Sequence, residues 1–277
     1  MAHPAAVLPL RRTKLVFSAL IIGSMAPDYP YFYALTDGIR WSHSWRGVFL
    51  FCLPAGLALL WLFHTVLKRP LVSLAPEFMR ARISEGDLVF RFAPLSRFLL
   101  ILGSLFLGTL THILWDGITH EHGLFVKHWR WLNTPVMLHH VVPMWKALQF
   151  LCSAAGLIVV LAMAVWWWSR KAEATKPVQP TIAPRLRWFI LGLAAVIAVA
   201  AGTAARFHAL YTGKALTWHW ILMNWRAAAT EGLIVTIAVA FAEWLLFSLA
   251  WHVVPLQSKK QKPLDSHVQR LDAHVER

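Results

Sequence analysis

Five long apolar stretches constrain this chain more than anything else in it. Gly47–Leu67, Phe98–Gly117, Ala147–Trp168, Trp188–Ala205 and Leu233–Val254 each come close to the ~20 mostly apolar residues that a transmembrane helix needs. The composition agrees. Hydrophobic residues make up 58% of the 277 residues and charged ones 14%, whereas soluble domains run at roughly 45–50% and about 25%. A water-soluble globular fold and a disordered chain are both excluded on these grounds. The expected fold class is all-α: a polytopic membrane helical bundle of about five transmembrane helices, with a short N-terminal helix that either re-enters or spans.

That short helix falls in Leu15–Leu35. The segment is apolar at first and then meets Gly23-Ser24-Met25-Ala26-Pro27-Asp28. Pro27 and Pro30 break a helix, and a carboxylate such as Asp28 is costly in lipid. A helix that enters the membrane and returns fits this pattern better than a full span. Arg11, Arg12 and Lys14 ahead of it also resemble the start of a signal peptide with Ser24-Met25-Ala26 as its cleavage site. Pro27, immediately after that site, argues against cleavage.

Lysine and arginine alternate between the connections. Counted after the first, second, third, fourth and fifth long spans they number six, three, five, three and five. By the positive-inside rule the first, third and last connections are cytoplasmic. The five basic residues before Gly47 oppose the outward placement that this gives the N-terminal region. The net charge of +14 is that of basic cytoplasmic loops, and no nucleic-acid partner is expected. The 16 tryptophans suit an interfacial aromatic belt. Cys52 and Cys152 lie in apolar runs and are expected to be buried thiols. The chain divides into a membrane domain over 1–175, a cytoplasmic linker over 176–186, two further spans over 187–256 and a polar tail over 257–277.

The histidines are unevenly placed. Nine of the 14 fall within the first 140 residues. The sharpest piece is the run from His112 to Gly123, where His112 and Asp116 are four apart and share a helix face. An imidazole and a carboxylate so spaced can reach one zinc-type ion, or Asp116 can simply orient His112. If the helix continues past Gly117, His120 joins the same stripe; if it stops there, His120 and His122 belong to a loop that folds back. Asp28, His43, His139 and His140 fall at the same outer face as His112. His64 and His252 are expected to snorkel or pack between helices, His128 to lie at the interface among aromatics, and Glu243 to hydrogen-bond a neighbouring helix. Axial haem ligation needs histidines inside two spans at equal depth, and these gather at helix ends.

Ala2-His3-Pro4-Ala5-Ala6, Gly23-Ser24-Met25-Ala26-Pro27-Asp28, His43-Ser44 and the run His112–Gly123 occur in that order. Together they resemble a family of bacterial polytopic membrane proteins known only as a domain of unknown function. A more distant resemblance runs to the LexA-regulated membrane-bound metal-dependent hydrolases, themselves similar to zinc-dependent phospholipase C and P1-type nucleases. That resemblance implies His3, Asp28, His43, His112 and Asp116 as ligands of a divalent metal, zinc above all, and the nearer pattern adds His120. Asp28 and Asp116 are then the candidate catalytic acids, in an integral protein of the bacterial cytoplasmic membrane acting on lipid or another phosphoester. The alternative is a non-enzymatic scaffold or transporter with a structural His/Asp cluster. Pro30 stands where the hydrolases often carry a second acid, and Ile39, Arg40 and Trp41 stand where they carry a further histidine. A second His-xxx-acid helix is also missing. These departures count against a full two- or three-metal site.

Overall fold

A computed structural model of the chain describes residues 3–33, 39–138, 141–179, 182–211 and 218–253. His139, His140 and the tail Gln257–Arg277 lie outside the described residues, as do the side chains of Trp218, Trp220 and Trp225. The fold is helical, with two short N-terminal helices, α1 (His3–Val7) and α2 (Phe17–Gly23). Among the described residues, five helices are long and apolar enough to cross a membrane. They are α3 (Trp45–Leu74), α4 (Leu95–Thr119), α5 (Met144–Arg170), α6 (Pro184–Tyr211) and α7 (Trp218–Val253). Among the described residues the strands form one small antiparallel pair, β1 (Pro135–Met137) with β2 (Val141–Pro143), registered Val136 to Val142, and an isolated bridge joins Ser84 to Pro177. Much of the surface of α5 is apolar and uncovered, with Gly156 its one buried residue, as expected of a helix facing lipid. Cys152 on that helix is accordingly half-buried, unlike the fully buried Cys52.

Helix α3 contains two π turns, Val48–Cys52 and Phe63–Leu67. Each lies just before a proline. Pro54 and Pro70 have no N–H to give the carbonyls of Leu50 and Val66, and their rings crowd those carbonyls. The helix widens at both places. His252 of α7 donates from Nε2 to the freed Val66 carbonyl at 3.0 Å, so this histidine closes a backbone gap at a helix contact. His64 stacks on Phe90 at 3.8 Å and bonds Ser18. Glu243 behaves otherwise: both its carboxyl oxygens are buried with no hydrogen-bond partner among the described residues.

The N-terminal region enters the bundle and comes back. His3 lies beside Asp28 and Asp116 at one end, and Arg11 reaches Met163 and the Trp166 ring on the far half of α5. Helix α2 then returns along α4. Seven residues rise only ~10 Å, about a third of a bilayer core, so α2 does not span. Its backbone polar groups find partners on α4, as a low-dielectric interior demands. The Val16 N–H donates to Ser104 Oγ at 2.9 Å, Thr109 Oγ1 donates to the Gly23 carbonyl at 3.1 Å, and His112 Nδ1 lies 2.7 Å from the Ser24 carbonyl. Such contacts require the two backbones to touch. A Cβ on Gly108 would lie 2.3 Å from the Leu20 carbonyl oxygen, and one on Gly23 would lie 2.2 Å from that of Leu105. Val16, Ala19, Leu60, Ile101 and Leu105 form the buried cluster beneath this crossing.

Candidate metal centre

Four segments bring their polar side chains to one end of the bundle. Helix α1 begins with His3. Asp28 closes the 3-10 turn Ala26–Asp28, whose proline ends the helical run. His43 follows the short helix Ile39–Ser42. His112 and Asp116 lie one turn apart on α4, which ends at Thr119 with His120 extended beyond it.

The hydrogen bonds around the two inner histidines set their tautomers. His112 is fully buried and its Nδ1 faces a carbonyl, which can only accept, so Nδ1 carries the proton. Nε2 is left with a lone pair. Ser42 Oγ donates its proton to the Pro27 carbonyl at 2.7 Å, so it accepts from His43 Nδ1 at 3.2 Å. His43 Nε2 is therefore also a lone-pair atom. The two Nε2 atoms face each other at 3.2 Å, with Asp116 Oδ2 at 3.2 Å from His112 and 3.3 Å from His43. Asp28 Oδ1 completes the group, 3.6 Å from His112. Two lone pairs and two carboxylates repel one another unless a proton or a metal ion lies among them.

The spacing suits one ion. All four ligand atoms lie within 4.8 Å of one another, and donors ~2.1 Å from a tetrahedral zinc stand ~3.4 Å apart. Backbone-anchored Nδ1–H groups of this kind are how proteins orient metal-binding imidazoles. Asp28, His43, His112 and Asp116 could thus hold a divalent metal.

A model of a domain of unknown function, DUF4184, matches residues 1–251. The chain belongs to this family. No curated protein and no solved structure matches the chain. The site residues of this DUF4184 protein all lie within the matched part.

His3 and His120 flank the four. The His3 ring stacks on His112 at 3.7 Å, with Nε2 3.6 Å from Asp116 Oδ1 and 4.0 Å from Asp28 Oδ2. Burial, aided by the neighbouring His112 ring, pushes the His3 imidazole down to about 3, so it is neutral at pH 7 and able to ligate. His120 is differently engaged. Lys146 donates to Gln149 Oε1 at 2.6 Å, which turns the Gln149 amide nitrogen toward His120 Nε2 at 2.8 Å. The His120 proton then sits on Nδ1, 3.3 Å from Thr119 Oγ1, whose own proton goes to the Trp115 carbonyl. His120 serves as a neighbour 3.3 Å from Asp116, with both its ring nitrogens already in use.

In this DUF4184 chain the cluster opens on a cavity of about 750 Å³, with His3, Asp28, His43 and Asp116 in its wall. Lys127, His122, Gln149 and Ser153 line it further out. His112 lies behind that wall. Sequence reasoning missed Ser24, Ser42, Lys127 and Gln149. The first two act through a backbone carbonyl and a hydroxyl with no motif of their own. A signal for the hairpin contact was present in Ser104 and Gly108, a small-xxx-small spacing that marks close helix packing in membranes.

Proposed function

We propose that this protein is a membrane-embedded metal-dependent hydrolase acting on phosphoesters, with lipid headgroups as the substrate class. The observation that carries the reading is the set of four donors at ligand spacing in and behind the wall of a cavity that also holds Lys127. The cavity falls within the ~300–1,000 Å³ range of small-molecule sites, and a lysine supplies a point charge for a phosphate. Nitrogen and oxygen donors suit zinc. When bound, zinc supplies Lewis-acid polarisation of a scissile ester and water activated at neutral pH. Asp28 is the more exposed of the two carboxylates and, as a ligand on the cavity side, would orient an attacking water. Ser24 and Ser42 hold the inner imidazoles in place. The distant resemblance to the LexA-regulated hydrolases points the same way.

The test is hydrolysis by chelator-stripped protein in detergent, with and without added zinc or manganese. Phosphodiester chromogens and vesicles of phosphatidylethanolamine and phosphatidylglycerol serve as substrates. Metal-dependent release, reduced at least ~100-fold in Asp28→Asn, is expected from the loss of a charged metal ligand. Metal-loaded wild type that cleaves none of them contradicts the reading. One observation favours a second reading, a scaffold or transporter with a structural ion: four protein donors already make a closed set of structural type.

We place the site at the outer face of the bacterial cytoplasmic membrane. Arg11, Arg12 and Lys14 sit at the tip of the re-entrant hairpin, toward the end opposite His3. They therefore no longer oppose an outward N-terminal region under the positive-inside rule. A cysteine introduced at Trp131 should react with an impermeant thiol reagent in intact cells, while one at Gly86 stays protected. The reverse pattern places the site in the cytoplasm.

A further inference from the structure

We propose that the site takes a second divalent cation, on the cavity side of the first, held by His3, Asp28 and Asp116 with the two carboxylates bridging the pair. The inference rests on the metal reading of the cluster above. Each carboxylate turns its two oxygens to different histidines. Asp116 Oδ2 faces His43 and His112, while its Oδ1 faces His3 at 3.6 Å and His120 at 3.3 Å. Asp28 Oδ1 faces His112, while its Oδ2 faces His3 at 4.0 Å. A single ion among His43, His112, Asp28 Oδ1 and Asp116 Oδ2 uses one oxygen of each acid. It leaves Asp116 Oδ1 buried with the His120 N–H 3.3 Å away on one side, so the second lone pair of that oxygen is open to an ion.

The stacked imidazoles set the layer spacing. His3 and His112 lie nearly parallel, 21° apart in plane and 3.7 Å between centroids. Two-metal hydrolytic sites hold their ions ~3.5–4 Å apart. The inner layer has four protein donors and is closed. The outer layer has three, all of them lining the cavity, which is the three-ligand, open arrangement of catalytic zinc. This resolves the tension between a closed set of donors and a hydrolytic role. It also removes the need for the second acid that Pro30 replaces, because bridging carboxylates serve both ions and only His3 is added. Gln149 and Thr119 keep His120 out of the ligand set.

Chelator-stripped full-length protein in detergent is titrated with Mn²⁺, and bound metal is counted by elemental analysis and examined by electron paramagnetic resonance. Two Mn²⁺ per chain with an exchange-coupled spectrum are expected, falling to one uncoupled ion in His3→Ala. One uncoupled ion in wild type, lost in His112→Ala, overturns the second site and leaves the first standing. Two uncoupled ions overturn the bridging. No bound manganese, and none in a repeat with zinc, overturns both. The wild-type spectrum decides the matter even if His3→Ala fails to fold.

Discussion

Asp116→Asn is expected to weaken zinc binding by more than ~100-fold, since even removing a group that only orients a ligand costs ~10–100-fold. The substitution keeps the size of the side chain and removes its charge. Asp116 is the hub of the cluster, with His3, His43, His112 and His120 all within 3.6 Å of its oxygens. Metal-free protein should tolerate the change. Burying a carboxylate is itself costly, and an amide oxygen in its place carries less of that cost. The sign of the result is therefore specific. The thermal midpoint of the stripped variant stays near or above that of stripped wild type. Wild type gains ~2.7 kcal/mol when zinc stands at 100 times its Kd, and the variant gains less than ~0.4 kcal/mol at that concentration. A midpoint that rises equally in both proteins places the ion elsewhere.

The second large effect comes from a residue that touches no ligand. Gly108→Val sets a branched side chain where a single Cβ would already lie 2.3 Å from the Leu20 carbonyl oxygen and 2.8 Å from the Ser24 amide nitrogen. Both are backbone atoms, so α2 must move as a whole. The movement takes the Ser24 carbonyl from His112 Nδ1 and Asp28 from the cluster. Overpacking of this kind costs ~1–3 kcal/mol, and the misplaced donors cost at least ~10-fold in metal affinity. Helices α6 and α7 pack against each other away from this crossing, so membrane insertion is retained. Gly103→Val is the control. It changes the same helix at a position where an added Cβ meets nothing within 4 Å, and metal binding should be unchanged. Equal behaviour of the two variants would mean that the hairpin does not hold the site.

The five spans were legible because nearly every residue in them obeys one rule, apolarity over a bilayer's width. The His112/Asp116 pair was legible because helical periodicity places the two side chains on one face. Asp28 could be placed near that pair from the break at Pro27, but the convergence of His3 was not visible in the residues themselves and came only through resemblance. It depends on a hairpin whose two limbs are held by glycine contacts and backbone hydrogen bonds, neither of which leaves a hydropathy signal. The same hairpin changes how the basic residues before Gly47 are to be counted. Arg11, Arg12 and Lys14 precede an apolar run in sequence, but the chain carries them through the bundle and returns. His120 shows a different limit. Its spacing from Asp116 fits a ligand, and only Gln149, distant in sequence, shows that its ring nitrogens are already in use.

The most direct test of the account is elemental analysis of detergent-purified protein, with wild type beside the double variant His112→Ala/Asp116→Ala. The account predicts stoichiometric divalent metal in wild type and its loss in the double variant, with both proteins inserted and monodisperse. Well-folded wild type that retains no metal after purification in zinc-replete medium, or a double variant that retains as much as wild type, would contradict it.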